Sequence, residues 1–223
     1  MERNGIGMIS LHYSAQNYID LNLSVEKSSK EDWNTAINIL KERFEERYFS
    51  TIHYLSYDLK KRRKTIEKFE KNGFAIMALN CLLIDTFYQF EYGLESSSEL
   101  NPVTLDTGVG LHYKTFLRIK FPQLFAFQPS IGNKDLADLF YTDIRCGILH
   151  SAQTKGCSML ACEGGQTLDY IYMFNKVGIR VDVNQFSDIL EKYFYKDYLQ
   201  RLYDGDKDTR KAFINKMKFV CEI

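Results

Sequence analysis

The chain has little proline, no excess of charge of either sign and no ordered pattern of cysteines. Only 3 of its 223 residues are Pro, which disfavours long linkers and disorder. Lys plus Arg number 29 and Asp plus Glu also number 29, so the formal net charge is zero. Because a surface that binds nucleic acid broadly is usually more basic, any such contact should be local.

The five cysteines predict neither a disulfide framework nor a zinc site, because their number is odd and no CxxC spacing occurs. Residues 1–18 lack the basic start and apolar core of a secretory signal. The most apolar stretch, 74–90, is interrupted by Asn80, Asp85 and Gln89 and looks too short and too polar for a membrane span. We therefore expect a soluble, cytoplasmic protein in a reducing interior, with no membrane contact.

What the chain does contain is apolar residues three or four positions apart over long stretches, with 45% hydrophobic residues. After an irregular N-terminal arm over residues 1–28, the capping-box spacing of Ser28 and Glu31 predicts a helix start. This helix should be very long or broken once near Ser50, and Asn72-Gly73 should cap its end.

The next segment, 74–92, is apolar on nearly every face, which predicts the central helix of a bundle. A shorter basic helix is expected over 109–120, and an amphipathic helix should begin around Lys134. These elements predict a mainly α fold.

A β-rich character begins after Gly156. Short runs at 157–162, 167–174 and 178–183 are separated by turn residues, which predicts a small three-stranded antiparallel meander. Such a flap is too small to stand alone and should pack on the helices as an insertion at about 156–183. Two more helices follow, so residues 29–223 are expected to form one domain.

An arginine and a histidine five positions apart, Arg145 and His150, are the most chemically suggestive residues of the chain. A guanidinium can hold a phosphate through two parallel hydrogen bonds, and an imidazole moves protons near neutral pH. On a straight helix the two lie about 140° apart around the axis. They would converge on one phosphate only if the helix distorts near Gly147, or if a second copy supplies part of the site.

The segment Tyr141-Thr142-Asp143-Ile144-Arg145-Cys146-Gly147-Ile148-Leu149-His150 resembles the R-x(4–6)-H signature of HEPN domains, the higher eukaryote and prokaryote nucleotide-binding family. The resemblance extends to the order of elements over roughly residues 30–155: a long helix, a central apolar helix and then the motif helix. The β-rich stretch resembles an insertion into that core.

The resemblance implies an up-and-down helical bundle that dimerises with its two motif helices facing each other. Many family members are metal-independent endoribonucleases of toxin, CRISPR and anti-phage systems. His150 would act as general base or acid, and Arg145 would bind the scissile phosphate. The products would be a 2′,3′-cyclic phosphate and a 5′-hydroxyl. The implied partners are a second copy, RNA, and a cognate antitoxin or nucleotidyltransferase, with no cofactor and no metal.

One position departs from the family pattern. Active members often carry Asn, Asp or His directly after the arginine, where this chain has Cys146. The alternative hypothesis is therefore a catalytically inactive HEPN-like module that binds RNA, a nucleotide or a partner protein through the same surface.

Two acidic residues are candidates for a supporting role. Asp85 interrupts the buried central helix, and a carboxylate in that place needs a partner. Either Arg145 or a tyrosine hydroxyl could be that partner. Asp143 lies about 20° around the helix from His150 but two turns away, so it either adjusts the charge of the site or is a solvated surface residue.

Lys60, Lys61, Arg62, Arg63 and Lys64 form the only dense basic run of the chain. The run could supply a local RNA contact, although the zero net charge of the whole chain does not suggest RNA binding. The competing interpretation is a solvated helix face.

Overall fold

Helices dominate residues 7–101, 105, 107–126 and 135–222, which are the residues described by the computed structural model, and two small sheets accompany them. The mainly α prediction is confirmed. The helices are α1 Ala15–Ile19, α2 Lys30–Phe44, α3 Ser50–Ser56, α4 Ile66–Tyr92, α5 Val109–Lys120, α6 Pro122–Phe125, α7 Leu136–Leu139, α8 Cys146–Ser151, α9 Val183–Tyr193, α10 Leu199–Asp204 and α11 Lys207–Cys221. The strands are β1 Tyr57–Asp58, β2 Arg63–Lys64, β3 Met159–Ala161, β4 Leu168–Met173 and β5 Lys176–Asp182.

Within the described residues, three π-helical turns join pairs of these helices into longer helices. They are Glu45–Phe49 between α2 and α3, Phe140–Arg145 between α7 and α8, and Phe194–Tyr198 between α9 and α10. The first and third pack on each other through aromatic rings, with the centroids of Phe49 and Phe194 5.3 Å apart. The first and third turns therefore contribute to core packing, whereas the second, Phe140–Arg145, contains the arginine of the motif.

The first long helix ends at Ser56, and the predicted cap at Asn72-Gly73 is wrong. The chain makes a short antiparallel hairpin of β1 and β2, and Thr65 then caps the start of α4 by accepting a hydrogen bond from the Lys68 amide. Gly73 lies buried inside α4. Apolar residues recur on both sides of the hairpin, so periodicity alone could not reveal the break.

Helix α4 is the central helix, as predicted, although it begins earlier than residue 74. It contacts α3, α5, α8, α9 and α11. Its length and composition would allow it to cross a membrane, but over half of its most apolar stretch is buried inside the protein. Such burial is typical of the core helix of a soluble fold.

The predicted β-rich segment does form three strands close to the expected ranges, but the antiparallel meander is wrong. Strand β5 lies in the middle of the sheet, antiparallel to β4 and parallel to β3. Gly178 permits this order, because a Cβ atom there would lie only 2.7 Å from the Ser158 amide nitrogen. Residue patterning predicts strands, whereas their pairing order depends on such close contacts.

The N-terminal arm packs on the bundle where it is described. A bridge joins Met8 to Ser14, and α1 follows with a capping box formed by Ser14 and Asn17. The Tyr18 ring is buried 5.9 Å from that of Phe213 on α11. The arm is therefore more ordered than its lack of periodicity predicted.

Candidate functional site

The predicted motif helix consists of α7, the π-helical turn and α8. Asp135 caps its start in a capping box with Asp138, while Lys134 lies outside the described residues. The amide of Cys146 donates to the carbonyl of Tyr141 across the π-helical turn. The helix ends at Ala152, which adopts a left-handed conformation with φ 53°. The helix is therefore distorted just before Arg145 and not at Gly147.

Arg145 and His150 lie side by side within one chain. The Arg145 Nη1 atom is 3.5 Å from His150 Nε2. Of the two conditions expected to bring them together, a distorted helix or a second copy, the structure meets the first, although the distortion is the π-helical turn that ends at Arg145 and not a change at Gly147. A contribution from a second copy stays a prediction. With a neutral imidazole protonated on Nδ1, Nε2 can accept a hydrogen bond from the guanidinium.

The guanidinium of Arg145 has no carboxylate partner among the described residues. Its Nε atom is buried and donates no hydrogen bond within that part of the chain, and the guanidinium carbon lies 5.6 Å from the centre of the Tyr141 ring. His150 is exposed at the surface. A half-buried cation without an anion, next to an exposed imidazole, is a surface suited to a phosphate.

Tyr141, which was not predicted as a site residue, packs its ring against the Arg145 guanidinium. Its ring packs on Gly110 of α5, where an added Cβ would come within 2.9 Å of Cε1, and lies 5.5 Å from the buried Tyr113. Burial raises the pKa of Tyr141, and it raises that of Tyr113 well above its usual range, so both hydroxyls stay neutral. The sequence did contain one signal for this contact, because Tyr141 precedes Arg145 by four residues and side chains at that spacing are neighbours on a helix.

Asp85 and Arg145 do not form the predicted ion pair. Asp85 is half-buried and accepts a hydrogen bond of 3.3 Å from Gln89 one turn later on α4. Its charge acts on the motif indirectly, as one of the groups that raise the pKa of Tyr113 and Tyr141. Asp85 is therefore a neighbour of the site and not a partner of the arginine.

Asp143 ties the motif helix to the sheet. Its carboxylate accepts hydrogen bonds from Ser158 (2.8 Å) and Thr142 (2.9 Å), and its backbone carbonyl accepts one from the Lys155 amide (3.0 Å). The Ser158 hydroxyl in turn accepts from the amide of Ile179 on β5. Asp143 is thus a half-buried link between elements and not a solvated surface residue, whereas its effect on the charge of the site stays a prediction.

Cys146 and Gly147 differ in their surroundings. Cys146 is half-buried beside Arg145 and Tyr141 and contributes to the electrostatics of both. Gly147 is buried under its own chain, because a Cβ there would lie 2.5 Å from the carbonyl oxygen of Gln153. The space beside Gly147 is therefore taken by the segment that follows α8.

The basic run lies on the β1–β2 hairpin and not on a helix face. Lys61 forms an ion pair with Glu67 and Lys64 forms one with Asp188, at 2.7 and 2.6 Å. Lys60, Arg62 and Arg63 are exposed and have no ion-pair partner among the described residues. Two of the five charges are therefore neutralised locally and three are available. The basic residues of α5 are likewise paired, with Asp138, Asp135 and Glu91.

The hairpin and the motif stand well apart along α4. Lys71 lies beside the hairpin, and Asp85 lies near the motif. Their separation of 14 positions corresponds to about 21 Å at the rise of an α-helix. The basic run is thus not part of the immediate surroundings of Arg145 and His150.

No protein-family model, curated protein or solved structure matches the chain. The resemblance to HEPN domains therefore depends on the motif and the order of helices alone. In the described part of the chain, no group of three His, Cys, Asp or Glu side chains is arranged to hold a metal ion.

Proposed function

We propose that Arg145 and His150 form an RNA-cleaving site of the HEPN kind. The observation that carries the proposal is the half-buried guanidinium without a carboxylate partner, 3.5 Å from an exposed imidazole. A permanent cation held in place by Tyr141 can bind a phosphodiester and stabilise the charge that develops on it. The proposed setting is a bacterial cytoplasmic defence or toxin–antitoxin system.

The proposed reaction is an intramolecular transesterification. His150 takes the proton of the ribose 2′-hydroxyl as that oxygen attacks phosphorus. The bond from phosphorus to the 5′-oxygen breaks, and the leaving oxygen takes a proton from a second donor. The products are a 2′,3′-cyclic phosphate and a 5′-hydroxyl. Because attacking and leaving oxygens lie on opposite sides of phosphorus, one imidazole cannot serve both at once, so a second copy of the chain is the proposed source of the second donor.

Cleavage of a labelled single-stranded RNA in EDTA tests the proposal. His150→Ala and Arg145→Ala should each lower the rate at least about 100-fold, as expected for loss of a general acid–base or of a charge-stabilising group. Arg145→Lys should retain part of the activity, because lysine keeps the charge but not the two-pronged geometry. Mass spectrometry should find a cyclic phosphate on the 5′ fragment.

His12→Ala is the matched control, since His12 is an exposed histidine whose ring lies 3.2 Å from Glu42. It should cleave like the wild type. Unchanged cleavage by the His150→Ala protein, or the absence of cleavage by the wild-type protein with every RNA tried, would contradict the proposal.

Cys146 favours a second candidate, a silent module that binds RNA, a nucleotide or a partner protein through the same surface. In that case the wild type should bind RNA or nucleotide without cutting it, and Arg145→Ala should weaken binding. Calorimetric titration with a nucleoside triphosphate and with a non-cleavable 2′-deoxy oligonucleotide separates these ligands.

A further inference from the structure

A second surface lies at the other end of α4, between α3, the β1–β2 hairpin and the first turns of α4. It is a groove of about 540 Å³, here called the Tyr54 groove. Its lining residues are Tyr54, Leu55, Tyr57, Asp58, Leu59, Lys60, Lys68, Lys71 and Asn72.

The Tyr54 groove is held open by hydrogen bonds within its walls. The Asp58 carboxylate accepts hydrogen bonds from the amides of Lys60 (2.8 Å) and Lys61 (3.1 Å), which shapes the hairpin turn. The amide of Asn72 donates to the Leu55 carbonyl at 2.7 Å and ties α4 to α3. The groove is thus preformed, and an occupant need not order its walls.

The charge of the Tyr54 groove is positive although the chain as a whole is neutral. Lys60, Lys68 and Lys71 line it, and none has an ion-pair partner among the described residues. The single acidic residue of its lining is Asp58, whose carboxylate is engaged by the hairpin backbone. An occupant should therefore carry closely spaced negative charges.

Aromatic rings accompany these cations. Tyr54 is 74% exposed and Tyr57 is 37% exposed, both on the groove. Aromatic side chains beside lysines are the combination with which proteins hold single-stranded nucleic acid, since every base has a face that stacks and every nucleotide a phosphate.

We propose that the Tyr54 groove binds single-stranded RNA, with bases stacked on Tyr54 and Tyr57 and phosphates on Lys60, Lys68 and Lys71. Binding in the groove does not depend on cleavage at the motif. If the motif is catalytic, the groove would hold substrate about 20 Å along α4 from Asp85, the residue of α4 near the motif.

Fluorescence anisotropy with a labelled oligouridylate tests this proposal in the 223-residue His150→Ala protein, at about 100 mM NaCl. Tyr54→Ala should weaken binding about five-fold or more, while Tyr54→Phe should leave it unchanged because the ring remains. Tyr54→Leu, which keeps an apolar side chain without a stacking face, should weaken binding as much as Tyr54→Ala.

The charge is tested by the double variant Lys68→Glu/Lys71→Glu, which should lose about ten-fold or more in affinity and show a shallower salt dependence. Its matched control is Lys207→Glu/Lys211→Glu, two exposed lysines of α11 with the same change of net charge. Thermal unfolding by circular dichroism verifies that each variant is folded.

Equal affinity of the control and the groove variants would overturn the proposal, as would equal binding of duplex RNA. Stronger binding to phosphatidylserine vesicles or to a polyglutamate peptide than to RNA would also overturn it and identify a different occupant. The two proposals are tested separately. Absence of cleavage by the wild-type protein bears only on the activity proposed for the motif, whereas the RNA affinity of these variants bears only on the binding proposed for the groove.

Discussion

Gly147 illustrates how one residue shapes the motif. The chain after α8 returns across it, and the carbonyl oxygen of Gln153 lies where a Cβ would need space. Glycine inside a helix is unfavourable by roughly 1 kcal/mol relative to alanine, so its presence reflects this close approach. Arg145, two residues earlier on the same helix, depends on a similar fit, since Gly110 leaves room for the Tyr141 ring against which the guanidinium packs.

Gly147→Ala should lower the free energy of unfolding by about 1–3 kcal/mol, because overpacking outweighs the gain in helix propensity. Gly73→Ala is the control: it lies inside α4, and its added Cβ would meet its nearest neighbour at an ordinary 3.8 Å. This control should be stabilised or unchanged. Urea unfolding followed by circular dichroism measures both. A stabilised Gly147→Ala protein would show that the returning segment moves aside freely.

Among the elements, α4 is joined to α5, α9 and α10 by a buried ionic cluster. Glu91 of α4, whose side chain is 5% exposed, contacts Lys120 (2.9 Å), Arg201 and the Tyr193 hydroxyl. Burial alone would raise the pKa of Glu91, but the hydrogen bond from Arg201 and the two positive charges outweigh it and lower the pKa. The cluster therefore stabilises the fold only while Glu91 is ionised.

Because the folded-state pKa of Glu91 lies below its unfolded value, its contribution is full above the unfolded pKa and is lost as pH falls through the folded pKa. Glu91→Gln should lower stability at neutral pH by about 2–3 kcal/mol, because it removes the buried carboxylate that the half-buried Lys120 and Arg201 share, and Arg201 alone keeps a second acidic partner, Asp197, among the described residues.

The loss of stability on acidification should be smaller in the Glu91→Gln protein than in the wild type. Urea unfolding at a series of pH values from neutral to acid measures this. The exposed Glu26 provides the control, and Glu26→Gln should follow the wild-type curve. Parallel pH dependences for the wild type and Glu91→Gln would contradict this account of the cluster.

At the scale of the whole molecule, the exposed apolar residues beside the motif bear on assembly. Leu82 of α4 is 45% exposed and lies three residues before Asp85, on the same side of the helix, and the charge of Asp85 acts on Tyr141 of the motif helix. Ile144 and Ile148 of the motif helix, by contrast, are already buried in their own chain. A dimer through the motif helix would therefore use its exposed edge together with this part of α4.

We predict that Leu82→Asp lowers the association constant of the dimer at least about ten-fold, because it places a charge in an apolar contact. Light scattering after size-exclusion chromatography at several concentrations measures the mass. Phe219→Asp on α11 is the control, because Phe219 is 43% exposed. Monomeric wild-type protein at all concentrations would contradict the predicted dimer.

Much of the local architecture could be predicted from the sequence by itself. Apolar spacing indicated the central helix, the helix over 109–120 and the motif helix, and β-rich composition indicated three strands. These features depend on neighbours within a few positions along the chain, so a single sequence is enough to reveal them. Arg145 and His150 were singled out by their residue types and by the resemblance to the HEPN signature, and their role stays a prediction.

Only the tertiary structure decided which groups meet. It placed the Arg145 guanidinium against the His150 imidazole, and it paired the carboxylates of Asp143 and Asp85 with Ser158 and Gln89. It also set β3 parallel to β5 and placed the basic run on a hairpin beside Tyr54. Periodicity reports the burial of a segment, whereas side-chain reach, helix distortion and contacts between distant residues decide its partners. For that reason the sequence located the motif, and the packing around it determined how its two side chains converge.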